Sequence, residues 1–224
     1  MSDQSDTPDT NVAGRPAPEV CPDGLVTGMR PQTFDHGPRS AFNAWVFRAL
    51  DPYFNYTLTR HKNGAFAGLA PGTVVELGAG AGANLDRLPT GTHLIAVEPN
   101  ERMHAGLRQR ASERGVRMTL VSGVAEALPL PDGSVDDVVC TLVLCTVPDL
   151  EQTLNEVRRV LRPGGRFRFV EHVVAPARSP RQWMQQALRK PWGWLFEGCD
   201  PARDTVARLV PVSWCSQLLD SPRR

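Results

Sequence analysis

The chain has 224 residues, a length that fits one domain with a sizeable core and additional terminal segments. Its 25 lysines and arginines nearly cancel its 24 aspartates and glutamates, so the composition predicts no basic face and no nucleic-acid partner. No apolar run approaches the roughly 18–20 residues of a transmembrane segment, and the polar N-terminus lacks an apolar signal-peptide core.

The N-terminal part of the chain divides into a tail and a helical segment. Residues 1–35 are rich in proline, serine, aspartate and glycine, a composition typical of disorder. Apolar residues then recur at spacings of three and four, which predicts helix. Because Pro52 interrupts this pattern, we expect two helices between Ser40 and Ala67. Residues 36–70 would form an N-terminal helical cap.

Strands and helices alternate after this cap, which predicts an α/β fold with a Rossmann-like, doubly wound, mostly parallel sheet flanked by helices. The predicted strands begin at Thr73 and continue with residues 93–98, 116–121, 135–147 and 166–174. The first predicted helix covers residues 100–114, with Asn100 as its N-cap. The second has Asp149 as its N-cap and ends at the turn Pro163-Gly164-Gly165. Residues 71–175 would form the core.

The segment VVELGAGAGAN, residues 74–84, predicts a cofactor site. Gly78, Gly80 and Gly82 follow a buried strand, and without a Cβ they let the backbone come into contact with a ligand. The pattern G-x-G-x-x-A also fits a dinucleotide site, and Glu98 at the end of the second strand can accept both ribose hydroxyls. On these features alone, an NAD(P)-dependent oxidoreductase is one interpretation.

Glu76 favours a different cofactor. Buried near the two phosphates of a dinucleotide, this carboxylate would be repulsive, at a cost of about a few kcal/mol. Near the cationic amino group of S-adenosylmethionine it would be attractive. The E-x-G-x-G-x-G arrangement therefore favours the methyl donor.

Two further segments resemble class I S-adenosylmethionine-dependent methyltransferases. GVAEALPLPDGSVD, residues 123–136, is similar to that family's segment after the third strand, and LRPGG, residues 161–165, is similar to its turn into the fifth strand. Together with the glycine loop, these segments cover roughly residues 73 to 174. The resemblance implies a methyltransferase with S-adenosylmethionine as cofactor.

A narrower resemblance concerns the acceptor. CTLVLC, residues 140–145, EHV, residues 171–173, and Gly198-Cys199 resemble the methyltransferase-like 7 group. Those proteins are small-molecule thiol S-methyltransferases related to the ubiquinone and menaquinone methyltransferases. The resemblance implies a small-molecule acceptor, either a thiol or another apolar metabolite.

The family resemblance also implies a set of cofactor-binding residues. The methionine part would be surrounded by Glu76, Gly78, Ala79, Gly80 and Gly82. Glu98 would hold the ribose and Pro99 would pack near the adenine, whose pocket Ala125 and Glu126 would line, while Thr141, Leu142 and Val143 would close over the sulfonium. Many relatives have an acidic residue where this chain has Val124. The adenine amino group would therefore donate to backbone or to Glu126.

His172 is the candidate catalytic residue, as a general base. It follows the fifth strand, whose C-terminal end faces the cofactor crevice. An ordinary pKa of about 6.5 suits acceptance of a thiol proton at neutral pH. The alternative is a hydrogen-bonded structural histidine.

Residues 176–224 combine an aromatic helical segment with a short, atypical C-terminus. Trp183, Trp192, Trp194 and Phe196 fit either the wall of an apolar acceptor pocket or a helix face packed on the sheet. Neighbouring basic residues allow peripheral membrane contact, although we favour ordinary solvated charges. Too few residues follow position 203 for the family's final antiparallel hairpin, so we expect it to be lacking. A non-catalytic cofactor-binding protein is therefore a third interpretation.

The cysteines predict neither a disulfide framework nor a metal site. They number five, form no C-x-x-C pair, and are Cys21, Cys140, Cys145, Cys199 and Cys215. This usage fits the reducing cytoplasm. The sequence leaves the oligomeric state undetermined.

Overall fold

The computed structural model describes residue 25, residues 37–205 and residue 207. Two predictions concern residues outside this set. They are the disorder of the tail, apart from residue 25, and the lack of a C-terminal hairpin. No helix in the described part of the chain combines the length and the hydropathy that a membrane span needs.

A parallel sheet of five strands forms the centre of the described structure. The strands are β1 (Thr73–Leu77), β2 (His93–Val97), β3 (Arg117–Val121), β4 (Val135–Thr141) and β5 (Leu161–Val170). Their spatial order is β3-β2-β1-β4-β5, and every pair is parallel. The chain reverses its direction of winding between β1 and β4, so a crevice opens at the carboxyl ends of these strands. The predicted α/β, Rossmann-like fold is confirmed.

Four α-helices accompany the strands over the described residues. They are α1 (Pro38–Phe66), α2 (Glu101–Glu113), α3 (Leu150–Val160) and α4 (Pro180–Leu195), with a short 3-10 turn at Leu85–Arg87. The two predicted N-caps are confirmed, because the side chain of Asn100 accepts from the Arg102 N–H and that of Asp149 accepts from the Gln152 N–H. Each cap satisfies a backbone donor that the first turn leaves unpaired.

The prediction of two helices between Ser40 and Ala67 is wrong, because α1 runs without a break through Pro52. A proline removes one backbone hydrogen bond, which tertiary packing can outweigh. Both halves of α1 are packed in this way. Val46 belongs to one apolar cluster, and Phe66 belongs to another cluster against the sheet.

The predicted bounds of the fourth and fifth strands are also wrong. β4 ends at Thr141 because Leu142 has a φ of +58°, a left-handed conformation that a strand cannot contain. The Leu142 N–H donates to the Val170 carbonyl at 2.8 Å, and the chain continues as a loop. β5 begins at Leu161, directly after α3, so the predicted turn Pro163-Gly164-Gly165 lies within the strand, and β5 ends at Val170. Its pairing with β4 shifts register between Val135 and Asp137.

Arg168 on β5 fixes α1 above the sheet. Its side chain is buried, and Nε donates to Asp137 Oδ1 at 2.6 Å. Its terminal nitrogens donate to the carbonyls of Ala65, Ala67 and Gly68 at the end of α1. These carbonyls have no partner within a helix, so one guanidinium joins the helix end to two strands.

Candidate active site

A cavity lies at the carboxyl ends of the central strands, where the sheet predicts a ligand site. Most of the predicted site residues line it, namely Gly78, Ala79, Gly80, Glu98, Pro99, Ala125, Glu126, Thr141, Leu142, Val143 and His172. Glu76 and Gly82 belong to the same region but are not part of the cavity wall. The predicted residues therefore lie around one cavity. Most of them line it, whereas Glu76 and Gly82 do not.

Gly82 packs closely against the residues below the loop. An added Cβ would lie 2.7 Å from Leu85 Cδ1 and 3.1 Å from Leu107 Cδ1, so its small size lets the loop pack on the apolar layer below. Gly78 is different, because its φ is +62° and an added Cβ would lie 2.5 Å from Val143 Cγ2. The loops after β1 and β4 therefore approach each other at a point where only glycine fits.

Glu98 joins the glycine loop to the start of α2. Its carboxylate accepts from the Gly80 N–H and from the Asn100 N–H, both at 2.8 Å. The side chain is buried, and burial raises its pKa to about 7. Two backbone bonds fix its orientation while lone pairs remain for ligand hydroxyls.

A polar network borders the cavity at the other end of the glycine loop. Asn84 Nδ2 donates to Glu76 Oε1 at 2.7 Å and to Thr141 Oγ1 at 2.9 Å. Asn84 Oδ1 is buried and has no partner among the described residues, and Asn84 lines the cavity. Burial raises the pKa of Glu76 to about 7. A ligand that brings a cationic N–H donor would satisfy both groups, so the network fits the amino group of S-adenosylmethionine.

Lys62 brings a positive charge to the same end of the cavity. It is buried on α1, lines the cavity, and donates from Nζ to Asn55 Oδ1 at 2.9 Å. Burial lowers its pKa to about 8, because the charged form loses hydration. A ligand carboxylate would compensate for that loss.

Glu126 is bonded to the start of α3. Its Oε1 accepts from the Asp149 N–H at 3.3 Å, and its carbonyl accepts from Gln152 Nε2 at 3.3 Å. Glu126 therefore contacts the start of α3 while it lines the cavity.

Glu171 holds the loop that follows β4. Its Oε1 accepts from the Val143 N–H at 2.6 Å and from the Leu144 N–H at 2.7 Å. The residue is fully buried, and burial raises its pKa. Because this carboxylate is enclosed and bonded to the loop, it positions the loop at Val143 and Leu144.

Apolar side chains from α1 and from the end of α4 form the wall facing this loop. They are Phe47, Phe54, Leu58, Trp192 and Phe196. The rings of Trp192 and Phe196 are in contact, with centroids 4.4 Å apart and an interplanar angle of 40°. Trp183 and Trp194 are instead 72% and 54% exposed, and α4 buries none of its residues. The aromatic segment thus contributes to the cavity wall, and it is not packed on the sheet.

Three residues that are remote in sequence meet at this wall. Cys199 Sγ lies 3.2 Å from Cys145 Sγ and 3.3 Å from His172 Nε2. Hydrogen bonding, first from Cys145 and then from His172, lowers the pKa of Cys199 to about 5 despite burial. Burial alone would lower the pKa of His172, but its contacts with Cys199 outweigh burial and raise it. His172 thus reaches the cavity as predicted, with Nε2 directed at Cys199.

Sequence reasoning missed Lys62, Asn84 and the pairing of Cys145 with Cys199. Asn84 ends the glycine segment, so its position was a usable signal. Lys62 is one basic residue among several on a helix of mixed polarity. The two cysteines are 54 residues apart, and only the topology brings them together.

The fold and the cavity are those of a cofactor-dependent methyl-transfer enzyme, and the comparisons agree. Residues 75–169 match a family model described as a methyltransferase domain. The chain belongs to the class I S-adenosylmethionine-dependent methyltransferases, with S-adenosylmethionine as cofactor.

Among its relatives, the chain is similar to human thiol S-methyltransferase TMT1A, with 35% identity over 76% of this chain and 78% of that protein. It is 46% identical to the ubiquinone/menaquinone biosynthesis C-methyltransferase UbiE of Methylobacterium nodulans, over 38% of this chain and 35% of that protein. A solved S-adenosylmethionine-dependent methyltransferase from Thermotoga maritima shares the fold, with a TM-score of 0.55, 24% identity and 77% coverage of both chains. The oxidoreductase interpretation finds no support in these comparisons.

Proposed function

We propose that the chain transfers the methyl group of S-adenosylmethionine to the thiol of a small apolar molecule. The observation that carries the proposal is the contact of His172 with Cys199 inside an aromatic wall, beside the loop that follows β4. An apolar wall favours an apolar acceptor, and a basic group there favours one with a pKa of about 8.5, as a thiol has. Similarity to a thiol S-methyltransferase supports the same acceptor class.

We propose that the cofactor lies along the glycine loop with its amino group at Asn84 Oδ1. Glu76 orients the Asn84 amide and supplies negative charge behind it. Lys62 would pair with the cofactor carboxylate and Glu98 with the ribose. When bound, S-adenosylmethionine supplies a methyl group on a positively charged sulfur.

The remaining predicted residues of the site are proposed by position. Gly78, Ala79 and Gly80 would contact the methionine part, and Pro99, Ala125 and Glu126 would enclose the adenine. Thr141, Leu142 and Val143 would cover the sulfonium from the loop that Glu171 holds. The apolar side chains of Leu142 and Val143, together with the facing aromatic wall, would limit the access of water to the region of methyl transfer.

We propose that His172 promotes loss of the acceptor proton. It lines the cavity at the end of β5, within the same wall as Trp192 and Phe196. A thiolate attacks a methyl group far more readily than a thiol does, so any residue that favours the thiolate accelerates the reaction.

The function is tested with three acceptors that share one aromatic ring and differ in the atom to be methylated. They are thiophenol, phenol and aniline. The assay measures S-adenosylhomocysteine formation at neutral pH with each acceptor, and Glu98→Ala serves as a cofactor-deficient control. We expect turnover with thiophenol at least about tenfold above the other two. Equal turnover with phenol would reject thiol selectivity, and cofactor binding without turnover on any acceptor would favour the non-catalytic interpretation.

The division into a cap (36–70), a core (71–175) and a C-terminal segment (176–224) is also a proposal. The family match at residues 75–169 lies inside the proposed core. We further propose a reducing compartment such as the cytoplasm, since Cys140, Cys145 and Cys199 are free thiols. Peripheral membrane contact through the exposed tryptophans of α4 stays a prediction, which co-sedimentation with anionic vesicles would test.

A further inference from the structure

The cluster of Cys145, His172 and Cys199 has the composition of a metal site. Its three potential ligand atoms lie within 4.8 Å of one another, and no other described group of three or more such residues does so. Each comes from a different part of the fold: the loop after β4, the end of β5 and the turn after α4. The topology of the sheet therefore assembles them on one wall of the cavity.

The distances are close to those of a tetrahedral zinc site. Zinc–sulfur bonds of about 2.3 Å and zinc–nitrogen bonds of about 2.0 Å place two sulfurs about 3.8 Å apart, and sulfur and nitrogen about 3.5 Å apart. The corresponding distances from Cys199 Sγ are 3.2 Å to Cys145 Sγ and 3.3 Å to His172 Nε2. Outward shifts of about half an ångström would admit the ion.

The surroundings hold the ligands in place. Cys145 and Cys199 are buried, and the Asp200 N–H donates to the Cys145 carbonyl at 3.0 Å, which joins the two cysteine-bearing segments. Arg203 adds a second connection, because its NH1 donates to the carbonyls of Leu144 and Val147. A ligand set held by hydrogen-bonded backbone on both sides needs little reorganisation to bind an ion.

We propose that Cys145, His172 and Cys199 bind one zinc-type divalent cation whose fourth position faces the acceptor cavity, where the acceptor thiol binds as a thiolate. Two thiolates and an imidazole select zinc over magnesium or calcium. Three protein ligands leave a fourth position for substrate, as catalytic zinc sites do. His172 and Cys199 line the cavity, so this position is accessible to an acceptor.

This inference rests on the proposed thiol acceptor and specifies how His172 acts, as a metal ligand rather than as a proton acceptor. The acceptor thiol would lose its proton to solvent when its sulfur binds the cation. That sulfur would then attack the methyl carbon as the bond from the carbon to the sulfonium breaks. The products are a thioether, S-adenosylhomocysteine and the released proton. A neutral thioether binds zinc more weakly than a thiolate does, so the product would leave.

Cobalt titration tests the site without reference to activity. The full chain, reduced and treated with a chelator that is then removed, is titrated with Co²⁺ while the absorption spectrum is recorded. We expect one equivalent per chain, with thiolate-to-cobalt bands in the near ultraviolet and tetrahedral bands in the visible region, both displaced by Zn²⁺. Cys199→Ser, Cys145→Ser and His172→Ala should each lower the affinity at least about tenfold.

Cys140→Ser is the matched control, since Cys140 is a buried cysteine of the adjoining strand outside the cluster. It should bind cobalt like the unmodified chain. Binding of S-adenosylhomocysteine reports that each variant is folded. Unchanged cobalt affinity in Cys199→Ser, an octahedral spectrum, or a Cys145–Cys199 disulfide that forms in place of a metal complex would each overturn the proposal.

Turnover on thiophenol with and without the chelator separates this inference from the proposed function. Activity that falls on chelation and returns with Zn²⁺ supports both. Full activity in the chelated, metal-free chain would overturn the metal site and leave the thiol acceptor standing. Stoichiometric tetrahedral binding without thiol turnover would retain a metal site but overturn its proposed role at the acceptor.

Discussion

Replacing Glu76 with glutamine should weaken cofactor binding and at the same time stabilise the ligand-free protein. Glu76 is 2% exposed, and its carboxylate accepts from Asn84 Nδ2 at 2.7 Å. In Glu76→Gln the side-chain volume is kept and the charge is lost. A glutamine amide can also donate to Asn84 Oδ1, which would turn the donor side of Asn84 toward the ligand and remove the acceptor for the cofactor amino group.

The affinity loss follows from one charge-assisted hydrogen bond. Such a bond contributes about 1.5–3 kcal/mol, which corresponds to a tenfold to roughly hundredfold increase in the Kd of S-adenosylhomocysteine. 5′-Methylthioadenosine lacks the amino-acid end, so its Kd should change little. Isothermal titration calorimetry with both ligands measures the difference.

The stability change follows from the raised pKa. Burial raises the pKa of Glu76 from 4.5 to about 7, so the unmodified chain loses stability as the pH rises from about 4.5 to about 7. The full loss is at most about 3–4 kcal/mol. Glu76→Gln lacks this titration, so its gain in the free energy of unfolding should be absent at pH 4.5 and complete above pH 7. Urea unfolding at several pH values measures it.

Glu156→Gln is the control for both measurements. Glu156 is a buried glutamate on α3, and its pKa is lowered although burial opposes this, because Arg159 and the Leu128 N–H bond its carboxylate. Its replacement should lower stability above pH 4.5 and leave both ligand affinities unchanged. The reasoning about Glu76 is refuted if Glu76→Gln binds S-adenosylhomocysteine as tightly as the unmodified chain, or if its stability gain does not vary with pH.

Three further predictions concern the cofactor loop and the attachment of α1. Glu98→Ala should raise the Kd values of S-adenosylhomocysteine and 5′-methylthioadenosine alike, by about tenfold or more, because both ligands contain the ribose. Unchanged Kd values in calorimetry would exclude the ribose assignment. Gly78→Ala should lower the melting temperature more than Gly80→Ala does, since both glycines have positive φ but only a Cβ at position 78 would meet the loop after β4. Equal melting temperatures would contradict the close approach of the loops after β1 and β4. Arg168→Met should lower the free energy of unfolding in urea by about 3–5 kcal/mol, because it leaves Asp137 buried and unpaired. Adding Asp137→Asn should recover part of that loss. A loss below about 1 kcal/mol would show that the guanidinium does not anchor α1.

The sequence by itself determined the sheet, the helix caps and the cofactor loop. Local patterns carry this information: β-branched runs predict buried strands, Asn100 and Asp149 have the side chains that cap helices, and a glycine-rich turn needs no distant partner to be recognised. Glu76 distinguished the methyl donor from a dinucleotide because the sign of a charge two residues before the loop is visible in the sequence.

Only the tertiary structure decided the features that depend on distant contacts. Packing at both ends carries α1 through Pro52, and a left-handed Leu142 ends β4 inside an apolar run. The structure also shows that Gly78 and Gly80 line the cavity while Gly82 packs on Leu85 and Leu107, a distinction that their spacing does not contain. Cys145, His172 and Cys199 lie in three segments that meet because parallel strands direct their carboxyl ends to one edge of the sheet. A site formed by residues from several strand ends has no short-range sequence signal. The fold sets the distances between its side-chain atoms, and the spacing along the chain does not.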